Sequence, residues 1–219
     1  MPNAAPSRPV PVWDLPIRLF HWALAAMFVA LWISGRMGKL DLHMTIGAAV
    51  LTLLLFRLAW GVLGSPTARF ATFVGGPRRI AAYLRGEWSG LGHNPLGALS
   101  VLAMLGLLLL QAGSGLFATD DIATDGPLAW LVSSKATKQL SALHRLGSWA
   151  ALGLVALHLA AIAFYRIKTG ENLVRPMIVG TKPATDEAPS QRLASPWLAL
   201  ALLAAAAALV FGGLAAWGR

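Results

Sequence analysis

Five histidines, His21, His43, His93, His144 and His158, are the side chains best suited to chemistry in this 219-residue sequence. Cysteine is absent, which excludes disulfides, thiolate zinc sites and thiolate-held iron–sulfur clusters. Neutral imidazole is the commonest protein ligand for a metal, so spacing decides what these five residues can hold. His144 and His158 are fourteen residues apart. At 100° per residue that is about 40° short of four full turns, so on a helix they share a face, about 21 Å apart along the axis. That distance is too great to grip one ion jointly, and it suits two centres stacked one above the other.

The elements that position these residues are membrane helices. The chain is 57% hydrophobic and 12% charged, about half the ~25% charged residues of a soluble domain, with mean hydropathy +0.63. A span needs about 20 apolar residues, and moving from charge to charge yields five: Leu19–Gly35, Leu42–Gly64 (interrupted only by Arg57), Pro95–Phe117, Leu143–Tyr165 and Trp197–Trp217. No small-residue cleavage site follows the first, which is expected to be a retained helix and not a signal peptide. Residues 77–87 (PRRIAAYLRGE) and 126–132 (GPLAWLV) are expected to lie along the two membrane interfaces, the latter anchored by Trp130. Residues 180–192 are polar and contain proline, as a linker does, and the fifth span is almost entirely Ala and Leu.

The net charge of +9 is a topology signal. Twelve of the 18 Lys and Arg flank the first span's start, the second and third spans' shared connection, and the stretch after the fourth. The opposite side carries six, together with the acidic stretch Asp120, Asp121 and Asp125. Basic connections stay cytoplasmic, so the N-terminus is expected inside and the C-terminus outside. Basic residues distributed between apolar runs are not the clustered polar surface of a nucleic-acid binder, and no nucleic-acid partner is expected.

Orientation sorts the histidines by depth. His21 and His158 fall in the cytoplasmic half, on the first and fourth spans; His43 and His144 fall in the outer half, on the second and fourth. Two histidines facing each other from different helices are axial ligands of a six-coordinate b-type haem, and two such pairs make a dihaem bundle. The lack of cysteine excludes covalent haem attachment through C-x-x-C-H. Gly47 and Gly147, next to His43 and His144, admit two readings: room for a flat macrocycle, or small-residue helix packing. His93, in LGHNPLG, has no partner at its level and reads as an interfacial, helix-entry or quinone-pocket residue. Arg57 is the one charge well inside a span; it either binds a haem propionate through its guanidinium or snorkels to the headgroups. Lys39, Lys135, Lys138 and Arg145 are the outer-side cations for the other haem's propionates.

The motifs VWDLPIRLFHW (12–22), LHMTIG (42–47), FRLAWGVLGSPTARF (56–70), LGHNPLGAL (91–99) and LHRLGSW (143–149) resemble the prokaryotic cytochrome b561 family, within the superfamily of nickel–iron hydrogenase b-type cytochrome subunits. The resemblance covers roughly residues 12–175 and implies an all-α membrane protein: a four-helix dihaem bundle exchanging electrons with ubiquinone or menaquinone. Its ligands would be His21, His43, His144 and His158. The expected organisation is a cytoplasmic tail (1–15), the four-helix domain (16–175), a polar linker (176–195) and a further transmembrane helix (196–219).

The leading expectation is electron transfer across the bacterial inner membrane, between the quinone pool and a periplasmic cytochrome, dehydrogenase or hydrogenase-type partner, with a homodimer compatible. Bis-histidine ligation leaves no open iron position for oxygen or peroxide chemistry. The alternative is a stand-alone superoxide- or quinol-oxidising oxidoreductase, with the outer cations attracting a small anion; the acidic stretch at 120–125 suits a basic protein partner better. A haem-free transporter or assembly anchor ranks last, because neither inverted repeats nor matched broken helices are present.

Overall fold

Each long helix but one opens on a capping side chain. Asp14 accepts the Ile17 N–H ahead of Leu15–Arg36 (α1), and Asn94 accepts the Gly97 N–H ahead of Pro95–Gly115 (α5). Ser133 caps Ser134–Phe164 (α6), and Ser195 caps Pro196–Trp217 (α8). Such caps satisfy the amide hydrogens that a helix start leaves orphaned. Leu40–Leu63 (α2) has no side-chain cap, since it follows α1 after a three-residue turn in which Gly38 takes a φ of +66°. The computed structural model describes residues 8–88, 90, 92–184 and 192–218.

Between these lie a 3-10 turn at Pro66–Ala68, the short helices Phe70–Phe73 (α3) and Pro77–Leu84 (α4), and a 3-10 turn at Ala129–Leu131. Helix α6 runs on through a π turn at Tyr165–Thr169, followed by Val174–Val179 (α7). Strand Arg8–Pro11 (β1) pairs antiparallel with Thr181–Ala184 (β2), Arg8 opposite Ala184 and Pro11 opposite Thr181. Five helices are long and apolar enough to cross a membrane. Four begin or end within a few residues of the expected spans. The fourth starts nine residues early, at Ser134, and with its π turn reaches 36 residues, about 54 Å at 1.5 Å per residue, well beyond the ~30 Å hydrocarbon core.

Helix α2 is the central post, packed against α1, α5 and α8, while α5 packs along α6. The interior mixes large apolar residues, Leu54, Phe56, Trp60 and Leu105 among them, with many small and polar ones: Ser34, Ala48, Thr52, Ala98, Ser114, Thr137, Ser141, Gly147, Ala151, Ala199 and Ala206 are all buried. Large apolar residues such as Val62, Leu146, Leu157, Leu200 and Leu209 face outward. Apolar residues on the outside and small ones at the helix contacts belong to a bundle whose solvent is lipid. Between α6 and each of α1 and α2 there is little direct backbone contact, and these gaps are where the histidines meet.

The bundle's two ends are distinct. At the basic end, Val12 and Trp13 N–H groups donate to Gly180 O (2.8 and 3.0 Å), and Ala194 N–H donates to Ser65 Oγ (2.9 Å). The segment 176–195, expected as a linker, thus includes β2 and most of α7; residues 185–191 lie outside the described residues. At the opposite end, the 116–133 connection folds over the bundle. Trp130 Nε1 donates to Trp217 O at 2.9 Å, tying that connection to the end of α8. Helix α4 forms at the basic end within the expected 77–87 stretch, with no buried residue.

Candidate functional site

His43 (α2) and His144 (α6) meet near the loop-covered end with ring centroids 6.0 Å apart and planes at 85°. Each ring is held the same way. His43 Nδ1 lies 3.0 Å from Leu31 O, and His144 Nδ1 lies 2.9 Å from Gln111 O. A carbonyl accepts only, so both Nδ1 atoms carry the hydrogen and Nε2 keeps its lone pair for a ligand. Ser34 Oγ donates to Leu31 O and Ser114 Oγ donates to Gln111 O (3.2 and 3.1 Å), and each hydroxyl stands 3.4 Å from the neighbouring Nδ1. One residue on, Gly35 and Gly115 let the rings close in. A Cβ at Gly35 would lie 3.1 Å from His43, and one at Gly115 2.9 Å from His144. LWISG in α1 and QAGSG in α5 are therefore twin cradles. Sequence reasoning missed both, though the repeated Ser-Gly four residues after the accepting carbonyl was there to be seen.

A cavity of about 510 Å³ surrounds this pair, lined by Trp32, Met44, Leu108 and Trp149 among others, and roofed by Thr119, Asp120, Thr124 and Pro127. Gly47 faces open space in it, whereas Gly147 lies against the Gln111 side chain. The two glycines therefore divide between room for a ligand and helix packing. Arg36 and Arg145 line the cavity, Arg36 lying over the Trp32 and Trp149 rings at 5.0 and 4.5 Å; Lys39, Lys135 and Lys138 do not line it. In the roof, Asp120 Oδ1 accepts the Ile122, Ala123 and Thr124 N–H groups, each at 2.9 Å, and these bonds hold its carboxyl below the usual range. Ile122 stands at the loop tip, 91% exposed.

His21 (α1) and His158 (α6) meet near the basic end with centroids 6.5 Å apart and planes at 55°. A metal bonded to one imidazole nitrogen of each ring at about 2.0 Å sets two centroids about 6 Å apart, so both pairs fit one bound metal centre each. The His21–His158 pair has no carbonyl cradle: His21 Nδ1 is enclosed without a hydrogen-bond partner.

Arg57 is 3% exposed, its guanidinium 4.8 Å above the Phe70 ring, and its Nη1 has no partner. It does not reach the surface by snorkelling. Asp14, the carboxylate that bears on it most, is already used by Ile17 N–H and by Trp60 Nε1 at 3.0 Å. His93 sits between the Trp13 and Phe73 rings, 4.5 and 4.7 Å away, with Nδ1 enclosed and unpartnered. Burial, then Arg57, Lys182 and His158, push its imidazole down to about 3, so it is neutral at physiological pH. The chain's two tyrosines also meet here: Tyr83 and Tyr165 share a hydrogen bond, and Asn94 Nδ2 donates to both (3.1 and 3.0 Å). Tyr83 is pushed up to about 12, by burial and then by Tyr165.

A family model described as "Prokaryotic cytochrome b561" matches residues 12–180. Two relatives, from Azotobacter vinelandii and Azotobacter chroococcum, are each 24% identical over 218 residues, covering 81% of this chain and 90% of their own length. Both are named "Probable Ni/Fe-hydrogenase B-type cytochrome subunit".

Proposed function

The chain belongs to the prokaryotic cytochrome b561 family, a multi-pass membrane cytochrome, and from that premise we propose that it moves electrons across the bacterial inner membrane through two b haems. His43 with His144 would hold the outer haem, and His21 with His158 the inner one. Supporting this most directly are the two facing pairs, 6.0 and 6.5 Å apart at opposite ends of one seam. Bound haem would supply one-electron redox chemistry. The chain supplies the rest: Leu31 and Gln111 carbonyls fix the outer imidazoles as Nδ1–H donors, which orients the rings and raises their basicity as ligands. With both histidines of a pair holding one iron, no position would be left for an exogenous ligand, and the chain would relay electrons without activating oxygen.

In this reading the basic end is cytoplasmic, with the N-terminus inside, and exchanges electrons with ubiquinone or menaquinone. The cavity roof faces outside, where the acidic loop receives a redox protein. The two Azotobacter relatives are hydrogenase subunits by name, so a hydrogenase-type enzyme is the class of outer partner we put first. Arg36 and Arg145 at the cavity favour a second reading, oxidation of a small anion such as superoxide by the chain alone. Quinone reduction by the purified chain supplied only with superoxide would favour that second reading. Activity that appears only on adding a soluble redox protein favours the relay. The experiment for the first reading is a reduced-minus-oxidised spectrum with haem quantitation, expected to show low-spin b haem at about two per chain; a colourless protein made with haem available contradicts it.

A further inference from the structure

All of the enclosed side-chain nitrogens without a hydrogen-bond partner among the described residues lie in the half of the bundle toward its basic end, one of them on His21 itself. They are Arg18 Nε, His21 Nδ1, Arg57 Nη1 and His93 Nδ1. The outer pair has none, because its Nδ1 atoms are taken by carbonyls. A buried donor without an acceptor costs roughly 1–3 kcal/mol, more for a charged group, and an arginine inside a membrane span is retained only where something pairs with it.

What is missing is anionic. Arg57 lies over the Phe70 ring, Phe70 packs against Phe73 at 5.7 Å, and Phe73 packs against His93, so both donors sit on one aromatic cluster, and the charges of Arg57 and His158 bear on His93. Asp14 is committed to a helix cap and to Trp60. The Phe70 ring packs on the Arg57 guanidinium, and the Trp13 and Phe73 rings pack on His93. A guanidinium offers a two-pronged fork to a carboxylate, and a neutral imidazole still has one N–H to donate.

We infer that Arg57 and His93 form a buried carboxylate site that binds a propionate of the inner haem, with His93, a residue outside the ligand set, acting as its second donor. The inference rests on the dihaem reading above and goes beyond it in giving His93 a cofactor-binding role. It also predicts asymmetry between the haems. A fixed cation near the inner iron stabilises the reduced, less positive state, so Arg57 raises the inner potential.

The test uses purified holoprotein whose haem carries carbon-13 in its propionate carboxylates. Wild type is compared with Arg57→Gln, Arg57→Lys and His93→Gln by haem quantitation, redox titration and redox-difference infrared spectroscopy. The expected result is a carboxylate band that moves in Arg57→Gln and His93→Gln, a lowered inner midpoint potential in Arg57→Gln, an unchanged outer potential, and recovery in Arg57→Lys. Should Arg57→Gln lose the inner haem, the band shift in His93→Gln still decides the question. Two haems per chain with bands and potentials unmoved by every variant would overturn the carboxylate site and leave the dihaem reading standing. Unmoved bands with weakened quinone affinity would overturn it in favour of a quinone pocket. Wild type without haem removes the dihaem reading itself.

Discussion

At the residue scale, ligand-type side chains were legible and their supports were not. A histidine inside an apolar run is costly, so residue type and depth were enough to nominate His21, His43, His144 and His158. The groups that orient the outer rings are the carbonyls of Leu31 and Gln111, and every residue carries a carbonyl. From sequence His93 reads as an interfacial, helix-entry or quinone-pocket residue, because it opens its helix with no partner at its level; its enclosure depends on Trp13 and Phe73 arriving from distant segments. The cradle makes a sharp prediction. Gly115→Ala places a Cβ 2.9 Å from His144, so the ring must tilt away from Gln111 O. Loss of such a supporting partner typically weakens a metal site roughly 10- to 100-fold. Haem quantitation should show depletion at the outer site with the inner one retained, and whatever outer haem remains should titrate at a higher potential as its ligand loses basicity.

At the element scale, hydropathy located the five helices and erred where a helix leaves the membrane. Hydropathy starts the fourth at Leu143, because the cations Lys135 and Lys138 interrupt the apolar run before it. Its true start at Ser134 is set by the Ser133 cap, a local signal that hydropathy does not register. The β1–β2 pairing was invisible for another reason: a four-residue ladder built on Pro9 and Pro183 has neither length nor alternation to reveal it. The fifth helix, which carries no polar side chain to suggest a role, is an integral wall of the bundle. Its Ala199 and Ala206 are buried in one core with Val50 and Leu54 of α2. Ala206→Leu should therefore cost about 1–3 kcal/mol of overpacking, read as a lower thermal midpoint in detergent, with the haem spectrum unchanged at low temperature. An unchanged midpoint would show that α8 packs loosely against α2.

At the scale of the whole molecule, the charge imbalance is a statement about sides. The absence of native cysteine allows single introduced cysteines to read topology directly. Ile122→Cys, at the exposed tip of the roof loop, should react with a membrane-impermeant maleimide added to intact spheroplasts. Arg78→Cys, on α4, should react only after the membrane is opened; the reverse pattern would invert the orientation. The loop's acidic face also sets how a partner docks. Converting Asp121 and Asp125 to Lys should slow electron entry from a basic redox protein and flatten its dependence on salt, since charge mainly governs the encounter rate.

The central proposal is two haems held by two histidine pairs. Haem per chain, measured in wild type beside His43→Ala and His158→Ala, tests that pairing most directly. Two haems should fall to about one in each variant, with the outer spectrum and potential lost in the first and the inner in the second. One haem in wild type, or loss of the same haem in both variants, would contradict it.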